Sequence, residues 1–283
     1  MILIEKQILV SALAVLFFTI PASFCADQPK EITVFTAASL TDAFEEIGQM
    51  YKNETNTSVV FNFDGSQALA TQMINGAYAD VFISANTKQM DVVKNAGLMN
   101  NSSVMIFTEN KLSLIVPKNN PGKIRDLKDL AKPGIKVVIG TEDVPVGDYA
   151  MQIINNLGND SAFGPEYKSK VLANAVSQET NVNYVVTKVA LGEADVGFAY
   201  VSDVTEDVAS KVDVVEIPDK YNVIAQYNMG ITKDSKYPAE SETFIKLVTS
   251  DEGNSILEKY GFKHAEGITA KSVTSTTPAK ASA

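Results

Sequence analysis

The sequence predicts an α/β protein built as two domains, each a mixed, mostly parallel sheet flanked by helices, with a ligand in the cleft between them. Three observations carry this. Strand-like and helix-like patterns alternate along the chain, which is the signature of parallel strands connected through helices. A short strand beginning Ala-Asp-Val occurs twice, at Ala79–Ala85 and Ala194–Tyr200, each time after a helical stretch ending in glycine, as if two halves were similarly built. About 240 residues separate an apolar leader from a polar tail, enough for one large or two modest domains.

The leader spans residues 1–26. Lys6 precedes an apolar run from Ile8 to Ile20, and small residues follow. The run falls short of the roughly 20 apolar residues that span a bilayer, and its layout is that of a secretory signal. Cys25, the single cysteine, is either removed with the signal or becomes a lipid-modified first residue. Both routes leave the mature fold without disulfides, resting on its hydrophobic core.

Residues 30–112 together with 227–267 are expected to form the first domain, and 113–226 the second. Ile32–Phe35 reads as a strand. Leu40, Ala43, Phe44, Ile47 and Tyr51 then fall on one helix face. Ser39 stands at the N-cap position, with Asp42 three residues on. Val59–Phe63 is a second strand, Asp64-Gly65 a turn, and Ser66 opens a helix burying Leu69, Met73 and Ile74. Leu112–Val116 begins a second alternating unit: strand Ile135–Ile139, loop Gly140–Gly147, helix Asp148–Leu157, helix Asn181–Leu191. Tyr221–Ile231 is strand-like, and Glu240–Tyr260 reads as one closing helix. Crossings near Leu112–Val116 and Ala225–Met229 would join the domains. The tail, 268–283, has neither period and is read as disordered.

The net charge of −10 argues against nucleic acid, whose phosphates require clustered Lys and Arg. Enzyme motifs are missing. His264 is the single histidine; near the end of the last helix it reads as a surface residue rather than a catalytic one, and with no second histidine and no cysteine in the mature chain no zinc site can assemble. Neither a G-x-S-x-G elbow nor a phosphate loop ending in Gly-Lys-Ser/Thr occurs. What remains is a set of helix openings after strands, at Ser39, Ser66, Val146-Gly147 and Asn181-Val182. Each offers unpaired N–H groups and the positive end of the helix dipole, a site for an anion that needs no lysine.

Taken in order, VFTAASLTDAFEEI, FNFDGSQALATQMINGAYADVFISAN, VPVGDYA and GEADVGFAYVSD closely resemble the ModA-type molybdate-binding receptors of ABC importers, over about Lys30 to Ala265. The resemblance implies a type II periplasmic-binding-protein fold closing on a tetrahedral dianion. It implies hydroxyl and N–H bonds from Ser39 and Ser66, N–H bonds from Val146 and Val182, and the phenol of Tyr200. It further implies an exported monomeric receptor without cofactor or enzymatic activity. Its ligand would be molybdate or tungstate, its partner a membrane ABC permease, and its membrane contact that permease or a lipid at Cys25. Alternatives are a receptor for another anion such as sulfate and, from a different class, a secreted hydrolase using Ser39 or Ser66. Asp64 departs from the family pattern, since a carboxylate facing a dianion would oppose binding; it is expected to turn away or to hold its turn locally. Asp148 raises a milder form of the same question.

Overall fold

The computed structural model describes residues 30–265, so the leader, Cys25 and the tail at 268–283 lie outside the described residues. Two mixed sheets flanked by helices make up the molecule. The first half of the chain supplies β1 (Glu31–Ala37), α1 (Thr41–Thr55), β2 (Ser58–Asp64), α2 (Ser66–Ile74), β3 (Val81–Ser84), α3 (Thr87–Asn95), β4 (Met105–Asn110) and β5 (Leu112–Pro117). There follow β6 (Val137–Gly140), α4 (Pro145–Asn159), α5 (Tyr167–Ala173), β7 (Ala175–Glu179), α6 (Val182–Ala190) and β8 (Val196–Tyr200). The chain ends with α7 (Glu206–Ala209), β9 (Val212–Val215), β10 (Ala225–Ile231), α8 (Pro238–Val248), α9 (Asp251–Lys259) and β11 (Lys263–His264).

The first sheet runs β11-β4-β10-β3-β1-β2 and the second β7-β6-β8-β5-β9. They share one plan. In the first, β1 lies between the parallel strands β2 and β3, and β10 is antiparallel to β3 and β4. In the second, β6 lies between the parallel strands β7 and β8, and β5 is antiparallel to β8 and β9. The chain leaves the first sheet at Lys111 and returns to it at Ala225.

The strands that carry the plan are apolar on both faces. Val81–Ser84, Val137–Gly140 and Val196–Tyr200 are buried throughout, as expected of strands covered by helices on both sides. The first lobe packs α1 and α8 through a cluster of aromatic edges: Phe44 meets Phe61, Phe107 and Phe244 at centroid distances of 6.1–6.2 Å. Offset and edge-on ring pairs of this kind add attraction beyond their buried area.

Several sequence expectations are corrected. Ile74, expected on the buried side of its helix, is exposed as the last residue of α2. The closing helix is two helices, because Ser250 accepts a hydrogen bond from the Gly253 N–H at 3.1 Å and starts α9 afresh. The strand predicted from Tyr221 begins at Ala225; Tyr221 instead packs edge-on against Phe163. The helix predicted from Asp148 begins at Pro145, since proline at the first helical position costs no hydrogen bond.

Candidate functional site

The carboxyl ends of parallel strands and the amino ends of the helices that follow them meet at one small cavity between the lobes. The β1–α1 junction contributes Ala37, Ala38 and Ser39, and the β2–α2 junction Asp64, Gly65 and Ser66. From the second lobe come Val144, Pro145 and Val146 where α4 opens after β6, Asn181 and Val182 where α6 opens after β7, and Tyr200 at the end of β8. The five residues picked out in the sequence, Ser39, Ser66, Val146, Val182 and Tyr200, therefore share one lining. This is where open α/β sheets place ligands. The cavity measures about 20 Å³, about the space of a single ordered water, so a tetrahedral anion would have to widen it.

Close backbone approach makes the cavity possible. A side chain on Gly65 would lie 2.4 Å from the Thr180 carbonyl oxygen of the opposite lobe. One on Gly147 would lie 2.0 Å from the Thr141 carbonyl, where the first turn of α4 sits on the end of β6.

The donors are neutral. Among the described residues no lysine, arginine or histidine lines the cavity. Ser66 is the first residue of α2, Val182 the first of α6, and Val146 the second of α4. Their N–H groups have no carbonyl one turn back to bond. Asn181 caps α6 by accepting the Tyr184 N–H at 3.2 Å, a bond that spares the N–H of Val182. Ser66 Oγ accepts from the Ala85 N–H at 3.0 Å, so its own proton is free for a ligand. The Tyr200 hydroxyl is buried without a hydrogen-bond partner among the described residues. An unmet buried hydroxyl costs roughly 1–3 kcal/mol, a cost that a ligand accepting its proton would relieve. Burial holds that proton firmly in place, pushing the Tyr200 phenol well above its usual range.

Ser39 is not the helix cap that its position suggested. A 3-10 turn, Ala38–Leu40, comes before α1, and Leu40 occupies the N-cap without a side-chain bond. The Ser39 hydroxyl lies instead 2.8 Å from the hydroxyl of Tyr227 on β10. The sequence offered no sign of Tyr227, which is 188 residues away.

Asp64 lines the cavity, yet its carboxylate is engaged in holding structure. The same oxygen accepts the Gly65 N–H at 2.7 Å and the Asn181 side-chain N–H at 3.1 Å. The first bond is the local one expected; the second reaches across to the other lobe. Gln67 donates to the Thr180 carbonyl at 2.9 Å, Gln89 to the Asp143 carbonyl at 3.0 Å, and Tyr149 to the Ala85 carbonyl at 3.3 Å. Together these bonds hold the lobes against one another around the cavity. Asp148 is half-buried and is not part of the lining.

A larger groove, about 1110 Å³, runs along the flank between α1, α7 and α9. Asp42, Glu45, Glu46, Glu206 and Asp207 line it against Lys52 and Lys259, a lining that repels anions, so it does not compete as the anion site.

Asp203 sits three residues beyond Tyr200 and accepts the Tyr200 N–H at 2.7 Å. Burial pushes its carboxyl up to about 8; the Tyr200 N–H opposes this and the charge of Asp42 adds to it. Its ordinary value is 3.8, so the folded protein binds this proton more tightly than the unfolded chain. The stability it contributes is complete below about pH 4 and is lost as pH rises through about 8. Asp203→Asn is expected to flatten that dependence. Thermal unfolding of both proteins at pH 5 and pH 9 should show similar midpoints at pH 5 and a variant midpoint higher by roughly 5 °C or more at pH 9.

The ModA molybdate-binding protein of Mycobacterium tuberculosis is 38% identical over 234 residues, covering 82% of this chain and 84% of the relative. The Escherichia coli ModA molybdate-binding protein is 29% identical over 255 residues, covering 88% and 95%. The periplasmic molybdate-binding protein of Azotobacter vinelandii superposes with a TM-score of 0.72 at 22% identity, covering 83% of this chain and all of that one, and so shares the fold. The family model of bacterial extracellular solute-binding proteins matches residues 32–263. A chain with this fold, this interlobe cavity and this match belongs to the bacterial extracellular solute-binding proteins.

Proposed function

We propose that the protein is an exported receptor that captures molybdate, and tungstate with it, and delivers the anion to a membrane ABC permease without catalysing a reaction. One observation carries this: helix openings from both lobes and the unsatisfied Tyr200 hydroxyl converge on a single compact cavity with no cation in its lining. Ser39, Ser66, Val146, Val182 and Tyr200 would hold the oxygens of a tetrahedral dianion, the first two through hydroxyl and N–H, the valines through N–H, Tyr200 through its phenol. The names of its relatives supply the identity of the anion. Among the described residues no helix is long and apolar enough to cross a membrane; attachment at Cys25 and action as a monomer remain part of the proposal.

Neutral donors suffice energetically. Hydrogen bonds to a charged group contribute about 1.5–3 kcal/mol each, so about six give roughly 9–18 kcal/mol gross. Micromolar to nanomolar binding needs about 8–12 kcal/mol. Selection then rests on cavity size and donor placement, since a fixed cation would welcome any anion.

The test is thermal unfolding of ligand-stripped protein with molybdate, tungstate, sulfate and phosphate in turn. At one hundred times its Kd a ligand stabilises by about 2.7 kcal/mol, a midpoint rise of roughly 5–10 °C. A rise with molybdate and tungstate but not with sulfate or phosphate is expected. A rise with sulfate alone changes the cargo, and no rise with any of them overturns the oxyanion reading.

A further inference from the structure

We propose that Asp64 and Asn181 form a side-chain latch across the cleft: opening the lobes must break the bond between them, and while it lasts it holds the openings of α2 and α6 close enough to donate to one anion. It rests on the protein being the anion receptor proposed for it, and it makes the two side chains positioning residues that need not touch the ligand themselves.

Donor and acceptor are fixed by their surroundings. An ionised carboxylate only accepts. Asn181 Oδ1 already accepts the Tyr184 N–H at 3.2 Å, which leaves Nδ2 to face the Asp64 oxygen, 3.1 Å away. That Asp64 oxygen also accepts the Gly65 N–H at 2.7 Å. Each partner is thus held by a backbone N–H of its own lobe before it reaches the other. Asp64 is the last residue of β2, and Asn181 the residue before α6. Ser66 and Val182, the first residues of α2 and α6, are the donors that the pair draws together.

The lobes come close along this seam. A Cβ on Gly65 would lie 2.4 Å from the Thr180 carbonyl oxygen, and Gln67 donates to the same oxygen at 2.9 Å. Gln67, Gln89 and Tyr149 all end on backbone carbonyls across the cleft. Asp64 and Asn181 meet side chain to side chain, so both ends of this contact can be exchanged. Asn181 is buried and Asp64 half-buried, and a bond to an ionised acceptor is stronger than one between neutral groups. The latch also gives a carboxylate a reason to line an anion site: its charge opposes the anion, and its bond to Asn181 offsets this by favouring closure. Both groups ride on rotatable side-chain bonds, so the pair can follow the widening that an anion requires.

The experiment titrates sodium molybdate calorimetrically into ligand-stripped wild type, Asn181→Ser, Asn181→Asp, Asp64→Asn and the exchanged pair Asp64→Asn/Asn181→Asp. Serine keeps the α6 cap but is too short to reach Asp64. Asn181→Ser should therefore weaken binding about 5–20-fold, with a ligand-free midpoint within about 3 °C of wild type. Asn181→Asp sets two carboxylates face to face and should cost more than about 50-fold. In the Asp64→Asn background donor and acceptor trade places. There the same substitution should cost at least about ten-fold less, and the exchanged pair should bind within about five-fold of wild type. Wild-type affinity in Asn181→Ser, or an equal cost of Asn181→Asp in both backgrounds, overturns the latch and leaves the receptor standing. No binding of molybdate by wild type removes the receptor reading, and the latch with it. Should Asn181→Ser fold poorly, the exchanged pair decides, because it keeps both the cap and the bond.

Discussion

Val182→Pro is expected to keep the fold and lose most of the ligand affinity. Val182 is the first residue of α6, the one helical position where proline fits without cost. Asn181 before it is extended, with φ −154° and ψ 168°, as a residue preceding proline prefers. Its cap to the Tyr184 N–H is untouched. The substitution therefore removes one backbone donor and, since Val182 is buried, trims one side chain of the core, a loss that Val182→Ala shares. A hydrogen bond to a charged group contributes about 1.5–3 kcal/mol, so molybdate should bind roughly 10–150-fold more weakly. The ligand-free midpoint should shift by no more than about 3 °C. Val182→Ala, which retains the N–H, is the control and should bind nearly as wild type. Calorimetry on the two variants decides it: equal affinities would remove this N–H from the site.

Gly147→Ala should have the largest effect on the fold itself. The added methyl would lie 2.0 Å from the Thr141 carbonyl oxygen and 2.5 Å from that of Gly140. Both are backbone atoms that cannot rotate away, so the start of α4 must lift from the end of β6. Overpacking of this severity costs about 2–4 kcal/mol, a midpoint fall of roughly 5–15 °C. Val146 moves with the turn, and binding should fall more than about 100-fold once the donors lose their common focus. Gly158→Ala, further along the same helix, offers the contrast. Its methyl meets the Lys168 Cβ at 3.3 Å, a tight contact in which Lys168 must give by a few tenths of an ångström, and alanine favours helix by about 1 kcal/mol over glycine. Its midpoint should stay within about 3 °C of wild type. Parallel melts and titrations of the two variants test the assignment, and a stable, binding Gly147→Ala would refute it.

What the sequence made legible was local. Each opening is a strand, a few small or turn-forming residues and an amphipathic helix, all within a dozen positions, and such patterns write themselves into periodicity. Ser66, Val146 and Val182 were therefore visible as helix openings; Tyr200 became conspicuous through the family resemblance. What stayed hidden was long-range. Nothing near Ser39 indicates that its hydroxyl meets Tyr227, and nothing near Asp64 announces Asn181. The Ser39 expectation failed for a related reason: a 3-10 turn and a cap use the same small polar residues, and tertiary contact chose between them. The break between α8 and α9 lay within reach, since Ser250 with Asp251 and Glu252 is an N-terminal signal, but the continuing helical pattern masked it.

The route of the chain between the sheets has a consequence for how the protein is made. The second sheet is drawn wholly from the stretch between Leu112 and Val215, whereas β10, inside the first sheet between β3 and β4, is supplied after it. A chain emerging N-terminus first therefore presents β3 and β4 long before the strand that pairs with both exists. The later-synthesised lobe can complete its sheet first, while the earlier one waits with two open edges. Non-local pairing of this kind slows folding and leaves transiently unpaired strands open to aggregation. Completion of the first sheet during synthesis thus waits on β10, and a holding chaperone would have its work in the interval before residue 231 appears.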